Sequence, residues 1–383
     1  MRPHSSARRP RRARPRGIAL LMALAVVMLL TFFMSEYFFA TGLELRGMTT
    51  FKDAQQARML ARSVFKAVQI GLLQDEVEFF KGYEQIAGLL TIGAVPWNQG
   101  LLLTLEIAPQ DHLFNLNQNF NSQPDEPQDR ARRWVFLQLL DRIETPVPDT
   151  PGVTQPLAPD VVTALYAALF DFIDGDNDEY LGFSAVRGAE QDSYVGIEPA
   201  LDIKNGQLDR LEETRLVRGF RDAHIPWGVW EHTVTTLPHQ SEATSPFTER
   251  INVNVASRDE IALFLSTHFV DPNEVGSYKE ILDGINAYAQ RADEIADYFV
   301  LADGKRQTYD PTTLQQALEG DLGIPGQYGK NFLFSTVNQY YRIRAVTEVA
   351  GVRARLEAML YVPRDPANRL AKGVPKVLWE TVN

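Results

Sequence analysis

The sequence predicts an α+β fold in which a long N-terminal helix packs on a β-sheet and a large, mainly helical domain is inserted. An apolar run starts at Ile18 and continues into a stretch with a helical period. Strand-like runs rich in β-branched and aromatic residues follow this helix and return near the C-terminus. Roughly 200 residues of mostly helical pattern separate the two groups of strands.

The first residues predict a membrane-targeting leader. Seven arginines and no acidic residue precede Gly17, and Thr31 is the only polar residue from Ile18 to Met34. The positive-inside rule keeps the arginines in the cytoplasm and places the C-terminal body across the membrane. The cleavage candidate, Gly17–Ile18, lies before the apolar run, whereas a secretory signal is cleaved after its apolar core. Cleavage here would remove the charges and keep the apolar helix, as in type IV prepilin leaders.

The apolar run is long enough to cross a bilayer, and the helical period continues beyond it. Ile18 to Phe39 supplies the roughly 20 apolar positions that a membrane-spanning helix needs. Past Gly47, small and apolar residues recur at steps of three and four: Ala54, Ala57, Ala61, Val64, Phe65, Val68 and Leu72. We expect one helix from about Ile18 to about Phe80, with its second half against a globular domain. A plain single-pass anchor followed by a juxtamembrane helix is the alternative.

The body divides into strands at its two ends and helices between them. Gly100–Ala108 is a predicted strand, and the later ones are Phe332–Ser335, Tyr340–Val346 and Ala354–Val362. Helical patterns cover Gln128–Leu140, Pro159–Ile173, Leu208–Phe220 and Ser277–Leu301. Ile251–Val255 alternates as a strand does, and Ser257 with Glu260 forms a capping box for the next helix.

These patterns predict five regions. Residues 1–17 are a basic leader and residues 18–40 a transmembrane helix. Residues 41–108 contain the amphipathic helix and the first strand, residues 109–325 the inserted helical domain, and residues 326–383 the closing strands.

Charge and composition exclude several classes of function. The chain carries a net charge of −11, and without the seven leader arginines the body has a net charge of −18. Such a body is repelled by phosphate backbones, so we do not expect a nucleic-acid partner. The chain has no cysteine, which excludes disulfides, thiol catalysis and thiolate metal sites.

An acidic cluster after the Pro159–Ile173 pattern is the candidate metal site. Asp174, Asp176 and Asp178 have the spacing with which EF-hand loops begin, so alternate side chains could converge on one hard cation. The EF-hand pattern then fails, because its sixth position is Glu179 and its twelfth is Ala185. A different calcium loop, closed by Glu190 or Asp192, and a solvated acidic loop are both compatible with the residues. The candidate ligands are Asp174, Asp176, Asp178, Glu190 and Asp192.

No constellation for catalysis is present in the sequence. None of the six histidines has metal-ligand spacing with another on one helix face, and no nucleophile elbow, phosphate loop or dinucleotide fingerprint occurs. We therefore expect a protein that is not an enzyme. Asn115, Asn117, Asn252 and Asn254 alternate with apolar residues and are predicted to tie loops to backbone groups.

Several of these segments together resemble the minor pseudopilin K family of the type II secretion system. The resemblance covers nearly the whole chain and includes the Gly17 junction, with Met22 where pilins keep a glutamate. Its other segments are Phe114–Asn117, Phe172–Asp176, Gly188–Asp192, Leu211–Phe220 and Ile251–Ala256. One departure is Ile18, where the mature N-terminus of the wider family is usually Phe, and this bears on its methylation.

The resemblance implies a fold, a set of partners and a location. It implies a pseudopilin sheet with an inserted helical domain, a filament-tip complex with minor pseudopilins of the I and J type, and contact with the major pseudopilin. It also implies processing by prepilin peptidase, an inner-membrane anchor, a periplasmic body and bound Ca²⁺. The alternatives are a minor type IV pilin that acts in adhesion or cargo binding, and a membrane-anchored enzyme.

The residue at position 22 bears on where such a subunit can sit. A glutamate five residues into a mature pilin neutralises the N-terminal ammonium of a neighbouring subunit inside the apolar filament core. A buried ammonium without a partner is costly. A subunit with Met22 is therefore expected at a place that occurs once per filament, such as its end.

Overall fold

The α+β class predicted from the sequence is confirmed by the computed structural model of the chain. The structure describes residues 16–74, 76–120, 133, 135–140, 143–147, 152–181, 186–195, 203–237, 250–267, 291–301, 307–326, 333–363 and 373–383. The predicted leader 1–17 therefore lies almost wholly outside the described residues, and so does most of the predicted helix Ser277–Leu301.

Two helices open the described chain. Helix α1, Arg16–Leu73, has 58 residues and runs without a break, which at 1.5 Å per residue gives a length of about 87 Å. Helix α2, Glu76–Ile92, follows it. The expected single helix to Phe80 is therefore wrong at its end. The ring of Phe79 lies over Gly71, where a Cβ would be 2.2 Å from a ring carbon, so a larger residue at position 71 would displace the ring from α1.

A five-stranded antiparallel sheet forms the second layer. Its strands in chain order are β1 Val95–Trp97, β2 Gly100–Pro109, β9 Tyr340–Val349, β10 Val352–Tyr361 and β11 Lys376–Val382. Their spatial order is β1-β2-β9-β10-β11. The central pair β2–β9 joins a strand from before the inserted residues to one from after them. The edge strand β11 was not predicted from the sequence.

One face of the second half of α1 packs on this sheet. The buried residues of this face are Ala57, Ala61, Val64, Phe65, Val68 and Leu72, each at most 4% exposed. Ile343, Leu356 and Ala358 are among their partners in the sheet. The hydroxyl of Thr347 also donates a buried 2.9 Å hydrogen bond to the carbonyl of Ala57. The side chains from Leu20 to Thr50, by contrast, are all exposed.

The inserted residues form two lobes, each closed by a short parallel strand pair. In the first lobe, residues 114–235, β3 Phe114–Asn115 pairs with β6 Val234–Thr235. In the second lobe, residues 251–335, β7 Ile251–Asn252 pairs with β8 Phe334–Ser335. Each pair brings the beginning of a lobe next to its end.

The described helices of the lobes surround two hydrophobic cores. The first lobe contains α3 Pro159–Ile173, the hairpin of β4 Glu144–Pro146 with β5 Thr154–Pro156, and a helical stretch at residues 135–140. Its core is aromatic and includes Phe120, Phe136, Tyr166, Phe170 and Trp230. The second lobe contains α4 Arg258–Thr267, α5 Ala292–Phe299 and α6 Pro311–Gln316. Its core includes Ile261, Phe264, Ile295, Phe299 and Phe334.

The predicted elements of the lobes have different outcomes. The helix Pro159–Ile173 and the capping box of Ser257 with Glu260 are confirmed. The predicted helix Leu208–Phe220 is wrong, because only a 3-10 helix forms, at Leu211–Leu216. The strand expected at Ile251–Val255 ends after Asn252, where the chain turns.

Asparagine side chains hold the loops of both lobes, as the sequence predicts. The side-chain amide of Asn117 donates to the carbonyls of Leu208 at 2.9 Å and Leu237 at 3.2 Å, and its oxygen accepts the N–H of Leu208 at 2.7 Å. Asn254 makes the same two-way contact with the backbone of Tyr309, at 2.8 and 2.9 Å. Each side chain thus replaces a backbone partner where no strand continues.

Candidate metal centre and membrane-anchoring helix

The acidic loop begins where α3 ends. Asp174 is the first residue beyond the helix, and its N–H still donates to the carbonyl of Phe170 at 2.9 Å. Asp176 accepts the N–H of Asp178 on its Oδ1 at 2.8 Å, which tightens the loop into a turn. The side-chain amide of Asn205, from a distant segment, donates to the carbonyl of Asp176 at 2.6 Å. The loop conformation is therefore fixed from both sides.

Three of the five candidate ligands converge. Asp174, Asp176 and Glu190 each contribute a carboxylate oxygen, and these three oxygens lie within 4.8 Å of one another. Asp178 and Asp192 are exposed and lie outside this group. The contribution of Asp178 comes from its backbone N–H, which orients Asp176.

The segment that carries Glu190 is held against α3 by a glycine. Asp171, on the last turn of α3, is fully buried, and its Oδ1 accepts the N–H of Tyr180 at 2.8 Å. A Cβ at Gly188 would lie 1.7 Å from the other oxygen of Asp171, so only glycine allows this approach. Gly188 also donates its N–H to the carbonyl of Tyr180 at 3.2 Å. This packing brings Glu190 to Asp174.

The three converging carboxylates include buried oxygens that accept no hydrogen bond. Within the described residues, Oδ1 of Asp174 and both side-chain oxygens of Glu190 are buried and have no hydrogen-bond partner. Buried carboxylates without a partner are costly, so they are normally paired or bound to a metal. All three oxygens belong to Asp174 and Glu190, the two residues of the group that are not exposed. The donor set therefore fits a cation held between Asp174, Asp176 and Glu190.

The local pKa values show how unfavourable this arrangement is for negative charge. Burial, reinforced by the charges of Asp176, Asp171 and Glu190, raises the pKa of Asp174 to about 8. Burial also raises the pKa of Asp171 to about 7, although the N–H of Tyr180 opposes the shift. The pKa of Glu190 is raised as well, again mainly by burial. Three neighbouring carboxyl groups thus favour either protons or a cation.

The type of cation follows from the donors. All side-chain donors of the group are carboxylate oxygens, the ligands that hard divalent cations prefer. Ca²⁺ takes six to eight oxygens at flexible geometry, so three carboxylates, backbone carbonyls and water can complete its shell. Two residues that shape the group, Asp171 and Asn205, were not predicted as site residues. Asn205 gives no signal in the sequence, because its role depends on a contact between distant loops.

The second functional feature is the N-terminal half of α1. Gly17 and Ile18 lie in the first turn of this helix, and the side chain of Met22 is 66% exposed. From Leu20 onward, α1 is long and apolar enough to cross a membrane, judged by length and composition. The first acidic residue of the chain is Glu36, so the apolar half contains no carboxylate.

Known proteins are similar to this chain in sequence and in fold. Residues 112–238, which include the acidic group, match the family described as "Type II secretion system (T2SS), protein K". The fold is similar to a chain in the crystal structure of the GspK–GspI–GspJ complex from the enterotoxigenic Escherichia coli type 2 secretion system. The TM-score is 0.52 and the identity 17%, over 89% of this chain and 99% of that one, a likeness that shows the fold alone. No curated protein sequence matches the chain.

The pKa values of the acidic group predict how stability depends on pH without a metal. The pKa of Asp174 is about 8 in the folded chain against 3.8 for an ordinary Asp, so folding takes up a proton between these values. The midpoint of thermal unfolding in EDTA should therefore fall as pH rises from about 5 to about 8. Tryptophan fluorescence of the detergent-solubilised chain measures this midpoint.

Matched variants isolate the contribution of Asp174. Asp174→Asn should weaken the decline of the midpoint between pH 5 and pH 8, because the titrating group is gone. Asp192→Asn, which removes an exposed carboxylate outside the group, should decline as the unaltered chain does. Equal slopes for all three proteins would contradict the assignment.

Proposed function

Because this chain belongs to the type II secretion system protein K family, we propose that it is a minor pseudopilin at the tip of the type II secretion pseudopilus. There it supports protein export across the outer membrane by assembling the filament tip. The observation that carries this proposal is the family match over residues 112–238, in a chain that also has the 58-residue helix α1. The mechanism is assembly through packing rather than turnover of a substrate.

The proposed location follows from α1. The arginine-rich leader stays in the cytoplasm, prepilin peptidase cleaves between Gly17 and Ile18, and the apolar half of α1 remains in the inner membrane. The sheet and the two lobes then lie in the periplasm, and Ile18 becomes the N-terminal residue and the site of methylation.

A charge at the junction should block this processing. We expect Gly17→Arg to leave residues 1–17 attached, because the junction then presents a long charged side chain instead of a hydrogen atom. Intact mass and N-terminal sequencing of the membrane-bound protein give the result. Ala13→Arg adds the same charge inside the leader and should be processed normally. A Gly17→Arg protein that still begins at Ile18 would contradict this prediction, because the bond would then be cleaved without Gly17.

The proposed partners are the minor pseudopilins of the I and J type and the major pseudopilin. The family resemblance and the GspK–GspI–GspJ complex support the first two, since that complex contains a chain of similar fold. Outside the apolar run, α1 still exposes apolar side chains, among them Met59 at 69% and Ile70 at 61%. These residues lie on the side of α1 that faces away from the sheet, where a neighbouring helix can pack.

Acidic substitutions on this side of α1 should reduce assembly. We expect the double variant Met59→Glu, Ile70→Glu to lower the amount of complex with I- and J-type partners at least tenfold, because two charges would have to be desolvated in a helix–helix contact. Size-exclusion chromatography with light scattering, on the mixed full-length proteins in detergent, measures the complex. Leu301→Glu, an exposed apolar residue in the second lobe, is the control. Undiminished assembly of the double variant would contradict the proposed role of α1.

The absence of a carboxylate at Met22 supports placement at the filament end. A subunit within the filament would need that carboxylate for its neighbour's N-terminal ammonium, and a terminal subunit would not. The alternative function, an adhesive or cargo-binding minor type IV pilin, is not favoured, because the matched family belongs to a secretion system.

We further propose that Asp174, Asp176 and Glu190 bind Ca²⁺. The three unpartnered buried oxygens of this group support the proposal, and so do the raised pKa values of Asp174 and Glu190. The ion would neutralise the charge of the loop and fix the loop to the end of α3. The ion would thus make the first lobe more stable, which links the metal to tip assembly.

Calorimetry tests the calcium site. Asp174→Asn and Glu190→Gln should each weaken calcium binding at least tenfold, whereas Asp192→Asn should change the dissociation constant less than about twofold. For the unaltered chain the affinity should rise about tenfold per pH unit between pH 6 and pH 7, because calcium must displace the proton of Asp174 below its pKa of about 8. No heat of binding, or equal losses in all three variants, would remove this site.

A further inference from the structure

A polar cleft lies between the first lobe and the sheet, apart from the acidic group. Arg210, Arg215 and Trp227 of the first lobe form one wall, and Arg355 and Trp379 of the sheet form the other. The cleft has a volume of about 380 Å³. We call it the junction cleft. Its size is that of a site for a small ligand or a few residues of peptide.

Two arginines at the mouth are stacked on tryptophans. The guanidinium of Arg215 lies 3.9 Å from the ring centre of Trp227, and that of Arg210 lies 5.3 Å from the ring centre of Trp379. In the part of the chain that the structure describes, neither arginine forms an ion pair. Stacking orders the guanidinium plane and leaves in-plane N–H donors for a planar anion such as a carboxylate.

A second, smaller pocket adjoins the cleft and contains a buried arginine whose donors are not satisfied. This adjoining pocket of about 20 Å³ shares Glu212, Trp227 and Trp379 with the cleft and is lined by Arg342, which is 4% exposed. Nε and Nη2 of Arg342 lack hydrogen-bond partners among the described residues. The nearest carboxylates, Glu106 at 3.6 Å and Glu231 at 3.7 Å, are beyond hydrogen-bonding distance. The adjoining pocket has room for about one oxygen atom.

Other polar groups of the cleft define the ligand further. The hydroxyl of Thr381 lines the cleft and is buried without a partner among the described residues. Glu212 and Glu357 also line the cleft, and Glu357 is already bound to Arg344 at 2.7 Å. The acid Glu212 would repel a dianion such as phosphate but can accept the N–H of a peptide. The residues of the cleft thus suit a ligand that carries a single negative charge and also has N–H donors, as a peptide does.

From this geometry we propose that the junction cleft binds a glutamate or aspartate of an acidic peptide segment from a partner protein. Arg210 and Arg215 hold the segment at the mouth, the tryptophan rings contact its apolar parts, and a carboxylate oxygen reaches Arg342 in the adjoining pocket. The hydroxyl of Thr381 is a further polar contact for the segment in the cleft itself. This site goes beyond tip assembly through α1. It gives the first lobe and the sheet a shared ligand.

Binding of blocked peptides to the processed full-length protein in detergent tests this proposal. The probe is an acetylated and amidated Gly-Glu-Gly-Glu-Gly peptide, and the matched peptide carries glutamine in place of both glutamates. Calorimetry should show saturable binding of the first peptide and at least tenfold weaker binding of the second. The double variant Arg210→Gln, Arg215→Gln should weaken binding at least tenfold, while Arg221→Gln, an exposed arginine outside the cleft, should not.

A second variant tests the sheet side of the cleft. Thr381→Val keeps the shape of the side chain and removes the hydroxyl, so it should weaken binding a few-fold without lowering the unfolding midpoint. Equal binding of the two peptides, or no difference between the double variant and Arg221→Gln, would overturn the proposal. So would inorganic phosphate that displaces the peptide at a lower concentration than acetate does, because the cleft would then be a site for small dianions.

Discussion

The burial of one face of α1 on the five-stranded sheet is the interaction on which the rest of the molecule depends. From Ala57 to Leu72 this face is covered by the sheet. The hydroxyl of Thr347 donates to the carbonyl of Ala57 and so fixes the position of the helix along the sheet. The N-terminal half of the same helix has no protein partner in the described chain. Because α1 is continuous, the contact with the sheet also sets the direction in which the apolar half leaves the body. The orientation of the anchor is thus determined outside the membrane.

Buried charges then place the first lobe on the sheet. Arg344 of β9 binds Glu231 of the first lobe and Glu357 of β10, so one guanidinium joins three elements. Burial opposes the charge of both groups, yet these contacts raise the pKa of Arg344 and lower the pKa of Glu231, because each group stabilises the charge of the other. A buried ion pair of this kind favours one arrangement of its neighbours more than it adds stability. Arg342, two residues before Arg344 on the same strand, is left with two donors unsatisfied among the described residues.

The sequence predicts the parts of the fold that depend on local pattern. The steps of three and four residues from Ala57 to Leu72 mark the buried face of α1, because burial on a flat sheet requires that period. The helix ends at Leu73, and α2 then packs Phe79 over Gly71, a contact between two helices that no local pattern contains. Residues 208–220 have a helical pattern, yet only Leu211–Leu216 form a 3-10 helix, whose start is capped by the carboxylate of Glu213 through the N–H groups of Asp209 and Arg210. No local pattern distinguishes this outcome from an α-helix.

The candidate site shows the same division between local and distant causes. The spacing of Asp174 and Asp176 predicts that their carboxylates can meet, and the structure brings them together. The same spacing also predicted Asp178 as a ligand. In the structure, Asp178 contributes its backbone N–H, which donates to Asp176. Glu190 joins the group only because Gly188 packs against Asp171, a contact between segments 17 residues apart in sequence.

The two short parallel pairs have a consequence for how such a chain can change. Phe114 lies beside Val234, and Ile251 lies beside Phe334, so each lobe leaves and rejoins the backbone path at adjacent points. Insertions or deletions inside a lobe therefore need not alter the register of β2 with β9. The two lobes can therefore change in size and sequence while α1 and the five-stranded sheet keep their structure.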